Sequence, residues 1–392
     1  MKNHKRALGA AKDKAAKTTK RSVERRDFLR GAGTSTAAIA ATAVAATSFP
    51  TPSLAQGIKK WRMGTTWPKN FPGLGTGANK VAEFIGAASG GKLQVDVYGG
   101  GEIVPPFETM DAVSGGTLEM GHGAPYYWKG KEPATQFLAS MPFGLNVIEQ
   151  NSWLQFGGGQ ELADQIYEKL GCKFFASGNT GVQMGGWFNK EINSLEDYKG
   201  LKMRIPGLGG EVVKAAGGNV VNLPGGEIPA ALQSGAIDAT EWVGPYNDLA
   251  FGLYKSAKFY YYPGWHEPAT LLDCFINKSA FDGLDSELKA IVATANAYAN
   301  QYVLNEYLAN NNQALNTLRT KHGVILKKFP DTVLDGLGNL SGTVLGDLAG
   351  QDDLSGKVMN SMLDFRAQGI AYAKVSEQAF YNARSLPFKY VR

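Results

Sequence analysis

The stretch "EIPAALQSGAIDATEWVGPYN" (227–247) joins a helix-forming run, a Ser-Gly stop and a short apolar strand, at whose end Glu241 stands beside Trp242. Helix, glycine and strand in that order form half of a βαβ unit. Its first part aligns with "ETMDAVSGGTLEM" (108–120) at a shift of 119, matching Glu108 with Glu227, Ala112 with Ala231, Gly116 with Gly235 and Glu119 with Asp238. A Pro-Tyr follows each copy, Pro125-Tyr126 and Pro245-Tyr246. One such unit in each half predicts an α/β protein of two similarly built lobes.

The flanking sequence repeats the pattern. "KKWRMGTTW" alternates as a strand, "GANKVAEFIGAAS" reads as a helix, and "GKLQVDVYGG" alternates again with Leu93, Val95 and Val97 on one face. "SLED" (194–197) is a capped helical turn, and "LKMRI" (201–205) is a strand running into a Pro-Gly turn and a helix. Residues 285–322 contain no proline or internal glycine, which predicts one long helix or two joined ones. No low-complexity linker divides the chain, so the lobes share crossing strands. Strands alternating with helices predict parallel βαβ units.

The formal net charge of +5 in 392 residues is misleading, because residues 1–55 hold 11 Lys/Arg against 3 Asp/Glu and leave 29 against 32 in the remainder. A slightly acidic body excludes a phosphate-tracking nucleic-acid surface. "ERRDFLRGAG", with Arg25 and Arg26, precedes an uncharged Ala/Thr-rich stretch and a small-residue cut site near Ala55, the pattern of a twin-arginine signal. Residues from Gln56 onward are therefore expected in the periplasm. Cys172 and Cys274 are too few for a disulfide framework or a zinc site and read as two buried small hydrophobes, with a single disulfide as the alternative.

Arg204 ends the "LKMRI" strand just before a helix start, a position that favours an anion, and its planar fork matches a carboxylate. Gln183, in "NTGVQMGG", can donate to an anion or offer oxygen to a cation. Glu241 at the end of a buried strand needs a cation or strong donors. Tyr126, Tyr127, Trp242, Tyr246 and Trp265 could wall a small-molecule pocket. There is no complete dinucleotide fingerprint, no His-x-x-Glu-His and no Gly-x-Ser-x-Gly. His122, His266 and His322 are widely spaced and read as satisfied or solvated side chains.

"SLEDYKGLKMRIPG", "ALQSGAIDATEWVGPYND" and "WRMGTTWP" resemble the extracytoplasmic solute-binding proteins of tripartite ATP-independent periplasmic (TRAP) transporters, over nearly the whole chain after residue 55. "GAIDATEW" with "YYPGWHEP" is similar to the branch that binds 2-oxo acids such as pyruvate. The resemblance implies a two-lobed periplasmic binding protein fold with an interlobe cleft and long C-terminal helices. Lobe I would take residues 56–180, lobe II 181–275, and residues 276–392 would return to lobe I and form the helical C-terminal segment. It further implies a small carboxylate bound with a metal cation, sodium first and calcium in a lactate-binding relative, and handed to the TRAP membrane permease.

By resemblance, Gln183, Arg204, Glu267 and Tyr126 contact the substrate, and Glu241, Trp242 (through its carbonyl) and Gln183 hold the metal. "HEPAT" after Trp265 departs from the more Gly-rich continuation of the family. A homodimer through the helix of 284–320 is among the expectations. The alternatives are a lactate or dicarboxylate receptor and, in a different class, a twin-arginine-exported oxidoreductase.

Overall fold

The computed structural model describes residues 57–390. The expected signal segment and its cut site lie outside the described residues. Eleven strands follow one another along the chain: β1 (Lys59–Thr65), β2 (Leu93–Tyr98), β3 (Met120–Gly123), β4 (Cys172–Asn179), β5 (Gly186–Phe188), β6 (Lys202–Arg204), β7 (Asn219–Val221), β8 (Ala239–Thr240), β9 (Phe259–Tyr262), β10 (Leu271–Asn277) and β11 (Ile325–Lys328). They form a five-stranded sheet, β2-β1-β3-β10-β4, and a six-stranded sheet, β11-β9-β5-β8-β6-β7.

The two echoing units hold equivalent places. In the first lobe the helix Thr109–Ser114 leads into β3, and in the second the helix Ile228–Ser234 leads into β8. Strand β3 pairs with β1 and β10, and β8 with β5 and β6, so each echo ends in the interior of its sheet. Both Pro-Tyr pairs then open helical turns, Pro125–Trp128 and Pro245–Phe251.

The expected parallel units are present, β1 with β2 and β3, β6 with β7 and β8, and antiparallel pairs join them. Strand β10 is antiparallel to both β3 and β4, and β5 is antiparallel to both β8 and β9. Each of these strands enters from the other lobe, and a crossing strand arrives from the opposite end. Strand β10 lies in the first sheet, and β11 adds a last strand to the second. "LLDCFI" is buried throughout, and a continuous apolar run looks the same for either sheet.

Ser286–His322 is one 37-residue helix, about 55 Å at 1.5 Å per residue. Asp285 caps its start by accepting from the Leu288 N–H at 2.8 Å, and Gly323 ends it in the left-handed conformation. Val292, Ala295 and Ala299 pack with Met63, Val81 and Met120 of the first lobe. Farther along, Val303, Tyr307 and Leu318 pack with Trp187, Trp242 and Tyr260 on the second-lobe side. The helix therefore ties both lobes to one rod.

Cys172 and Cys274 are free and buried; their strands are neighbours, but Cys274 faces Phe175 and Cys172 faces Asn277. Among the described residues no helix is long and apolar enough to cross a membrane.

Candidate functional site

Parallel pairing of β6 with β8 sets Arg204 opposite Thr240, so Glu241 falls one residue past the sheet, beside the guanidinium. The Glu241 N–H donates to the Arg204 carbonyl at 3.3 Å. Arg204 Nη1 lies 2.5 Å from Glu241 Oε1 and also donates to the Glu241 carbonyl at 3.1 Å. Its Nε donates to the Leu223 carbonyl at 3.2 Å, while Nη2 has only a long contact, 3.5 Å, to the Tyr127 hydroxyl. Both ionic side chains are 1% exposed. The fork expected for a ligand carboxylate is thus partly engaged within the protein, and Nη2 is the prong left with spare donors.

Trp242 lays its ring over the guanidinium, 5.1 Å from carbon to centroid. The indole packs edge-on against Trp67 and Phe71 and rests on Gly225, where a Cβ would come within 2.3 Å of Cη2. From the first lobe, Tyr126 is buried against Gly207 and meets the Tyr127 ring at 4.8 Å.

Two crossing segments complete the site. The Gln183 N–H donates to the Glu267 carbonyl at 3.1 Å, and the Gly264 N–H donates to the Gln183 carbonyl at 3.0 Å. Only glycine fits at 264, because a Cβ there would stand 2.3 Å from the Gln183 oxygen. Between these backbones Gln183 Nε2 donates to Glu267 Oε2 at 2.7 Å and to Thr270 Oγ1 at 2.9 Å, and the Thr270 hydroxyl donates to Glu267 as well.

The electrostatics follow from burial. Glu267 is pushed up to about 7 by burial and then by the Glu241 carboxylate. Burial also pushes Glu241 to about 7 against the pull of Arg204. With the guanidinium in contact and only hydroxyl and amide donors on its neighbour, Glu241 is the group that keeps the charge. Tyr126 is held well above its ordinary value by burial and then by Glu267. Among the described residues Arg204 is the only buried Lys or Arg.

Every expected site residue (Tyr126, Gln183, Arg204, Glu241, Trp242, Glu267) is thus buried in one cluster. His266 was not foreseen. Its Nε2 lies 3.5 Å from Glu241 Oε2, it is buried, and neither ring nitrogen has a hydrogen-bond partner among the described residues. Burial lowers it to about 4, so it is neutral. The reading of His266 as satisfied or solvated is corrected; the adjacent His-Glu in a Pro/Gly-flanked loop was the available signal. His122 Nδ1 accepts from Trp67 Nε1 at 2.9 Å while its Nε2 is buried without a partner among the described residues, and His322 stacks on Tyr254.

The site fits a cation. Glu241, His266 and Glu267 can each present a ligand atom within 4.8 Å of the others. Among the described residues Glu241 Oε2 and Gln183 Oε1 are buried without hydrogen-bond partners, and the Trp242 carbonyl accepts no hydrogen bond. Oxygen atoms left this way are what a hard cation takes.

Three relatives bear on this arrangement. A monocarboxylate 2-oxoacid-binding periplasmic protein of Nostoc sp. is 42% identical over 365 residues, covering 93% of this chain and 99% of the relative. A crystal structure of a TRAP periplasmic solute-binding protein from Pseudoalteromonas atlantica T6c, with bound sodium and pyruvate, superimposes with a TM-score of 0.81 at 37% identity, covering 85% of this chain and 100% of that one. A TRAP solute-binding protein from Bordetella bronchiseptica RB50, a mixed-occupancy dimer with copurified calcium and picolinate, gives 0.82 at 34% identity, covering 84% and 97%. Residues 63–339 match the bacterial extracellular solute-binding proteins of family 7. With its two-lobed fold and buried interlobe cluster, the chain belongs to that family, DctP.

Proposed function

We propose that this protein is the periplasmic receptor of a TRAP transporter and binds a small, pyruvate-like 2-oxo monocarboxylate together with a metal cation, sodium or calcium. The observation that carries this reading is the Arg204–Glu241 pair, buried between the lobes with Glu241 Oε2 unpartnered. Arg204 is already balanced by Glu241, so a carboxylate entering alone would leave the site negative. A buried excess charge costs several kcal/mol. A bound cation supplies the missing positive charge and accepts oxygen donors.

Glu241, Gln183 Oε1 and the Trp242 carbonyl are the proposed holders of the ion. Arg204 Nη2, Tyr126, Gln183 and Glu267 are the proposed substrate contacts. A 2-oxo acid can chelate through one carboxylate oxygen and its keto oxygen, which distinguishes it from a plain fatty acid. Pyruvate and picolinate, bound in the two structures above, both place a second donor beside the carboxylate.

One buried guanidinium and no second buried Lys or Arg among the described residues favour a monocarboxylate over a dicarboxylate. Membership in a solute-binding family supports transport over an exported oxidoreductase. We assign residues 1–55 to export, lobe I to the first sheet and lobe II to the second, and delivery to the membrane permease. Exposed Tyr298 and Leu308 on the helix Ser286–His322 support a homodimer through that helix.

Titration calorimetry of pyruvate into chelator-treated protein tests the reading, first without sodium or calcium and then with each. The expected result is at least tenfold tighter binding with the ion, and a parallel lactate arm separates 2-oxo from 2-hydroxy specificity. Equal affinity with and without ion would sink the proposal.

A further inference from the structure

The peptide that follows Glu241 and Trp242 is hydrogen-bonded to Asp248. Asp248 is buried on the helix Pro245–Phe251, and among the described residues it forms no ion pair. Burial pushes its carboxyl up to about 7 against the pull of three donors, all of them dipoles. Oδ2 accepts from Trp187 Nε1 at 3.0 Å and from the Tyr260 hydroxyl at 2.6 Å, and those two rings stack at 4.0 Å. Oδ1 accepts from the Val243 N–H at 3.3 Å. That N–H belongs to the same peptide group as the Trp242 carbonyl.

Two consequences follow from peptide chemistry. In a trans peptide the C=O points opposite to the N–H, so the Trp242 oxygen is directed away from Asp248. A carboxylate accepting from the N–H also draws the amide toward its charge-separated resonance form, which raises the negative charge on the carbonyl oxygen. The same oxygen accepts no hydrogen bond from any described residue. On the far side of Val243, its own carbonyl accepts from the Met184 N–H at 3.0 Å, so the peptide is held in place.

We propose that Asp248 is a positioning residue that polarises the Trp242–Val243 peptide and so strengthens the Trp242 carbonyl as a cation ligand. This rests on the cation reading above. A merely structural buried aspartate is available for comparison. Asp273 in the first sheet accepts from Trp128 Nε1 at 2.8 Å and from the Tyr167 hydroxyl in the same manner, but forms no bond to the 241–243 peptides.

The test measures calcium affinity of metal-stripped wild type, Asp248→Asn, Asp273→Asn and Glu241→Gln by calorimetry, alongside thermal melts. The expected result is a five- to tenfold weaker Ca2+ affinity for D248N, and an affinity within twofold of wild type for D273N even where its melting temperature falls further. Wild-type affinity in folded D248N, or an equal loss in D273N, overturns the proposal. Should D248N not fold, the wild type decides: added Ca2+ should move the Trp242 carbonyl 13C and Val243 15N resonances downfield, and resonances that stay fixed while calcium binds overturn the proposal. If E241Q loses calcium while D248N keeps it, only this inference fails. If wild type binds neither calcium nor sodium, the cation reading fails with it.

Discussion

Arg204 makes four contacts from one side chain: two to Glu241, one to the Leu223 carbonyl and one, long, to Tyr127. A lysine at this position has one nitrogen and no fork, so it cannot serve Leu223 and Glu241 while reaching a ligand. Arg204→Lys is therefore expected to weaken pyruvate binding more than tenfold, in line with about 1.5–3 kcal/mol for a hydrogen bond to a charged group. Calorimetry in the presence of the cation measures it, and a change under threefold would remove Arg204 from the site. The two ionic partners were legible in the sequence because both sit at strand ends next to turn residues, where buried charge requires a purpose. His266 was marked only by its place beside Glu267 in a Pro/Gly-flanked loop, and the packing of that loop against Glu241 gives it meaning.

At the level of elements, the turn Gly225–Glu227 after β7 supports the wall of the site. Gly225 has no unusual backbone angle to satisfy; what it provides is closeness, since the Trp242 ring occupies the space of its absent side chain. Gly225→Ala should displace the indole from the Arg204 guanidinium and lower ligand affinity, with a cost of about 1–3 kcal/mol as for other overpacked sites. Intrinsic Trp fluorescence and calorimetry together check this; unchanged affinity would mean that the ring is not a wall of the binding site. Periodicity made the strands Lys59–Thr65, Leu93–Tyr98 and Lys202–Arg204 and the helix Gly75–Ala88 readable, and left open whether residues 285–322 form one helix or two; they form one. Pairing direction was not readable, because "LLDCFI" and "GWF" carry the same apolar pattern whether they run parallel or antiparallel.

Across the described residues, four connections pass between the lobes: residues 180–185, residues 263–270, the helix Ser286–His322 with its return to β11, and the helix Asp331–Ala349, which packs on the second lobe through Val333 and Leu337 and on the first through Leu345 and Ala349. Gln183 and Glu267 stand on the first two, so the ligand site and the hinge strands share residues. Binding that bridges Tyr126 of one lobe and Arg204 of the other should hold the lobes together. Small-angle scattering is expected to give a smaller radius of gyration with pyruvate and cation than without either. Identical profiles would argue against ligand-driven closure.

The sequence alone determined the alternation of helix and strand, the duplicated unit, the family resemblance, and the residue types at the strand ends. These depend on local periodicity and on short motifs, which survive without knowledge of distant contacts. Tertiary structure alone decided which strands reverse, where the lobes exchange the chain, that Arg204 is engaged by Glu241, and that His266 and Asp248 belong beside the site. Each of those depends on groups far apart along the chain meeting in a low-dielectric interior, where an unpartnered oxygen or an unbalanced charge acquires an energy that no local pattern encodes.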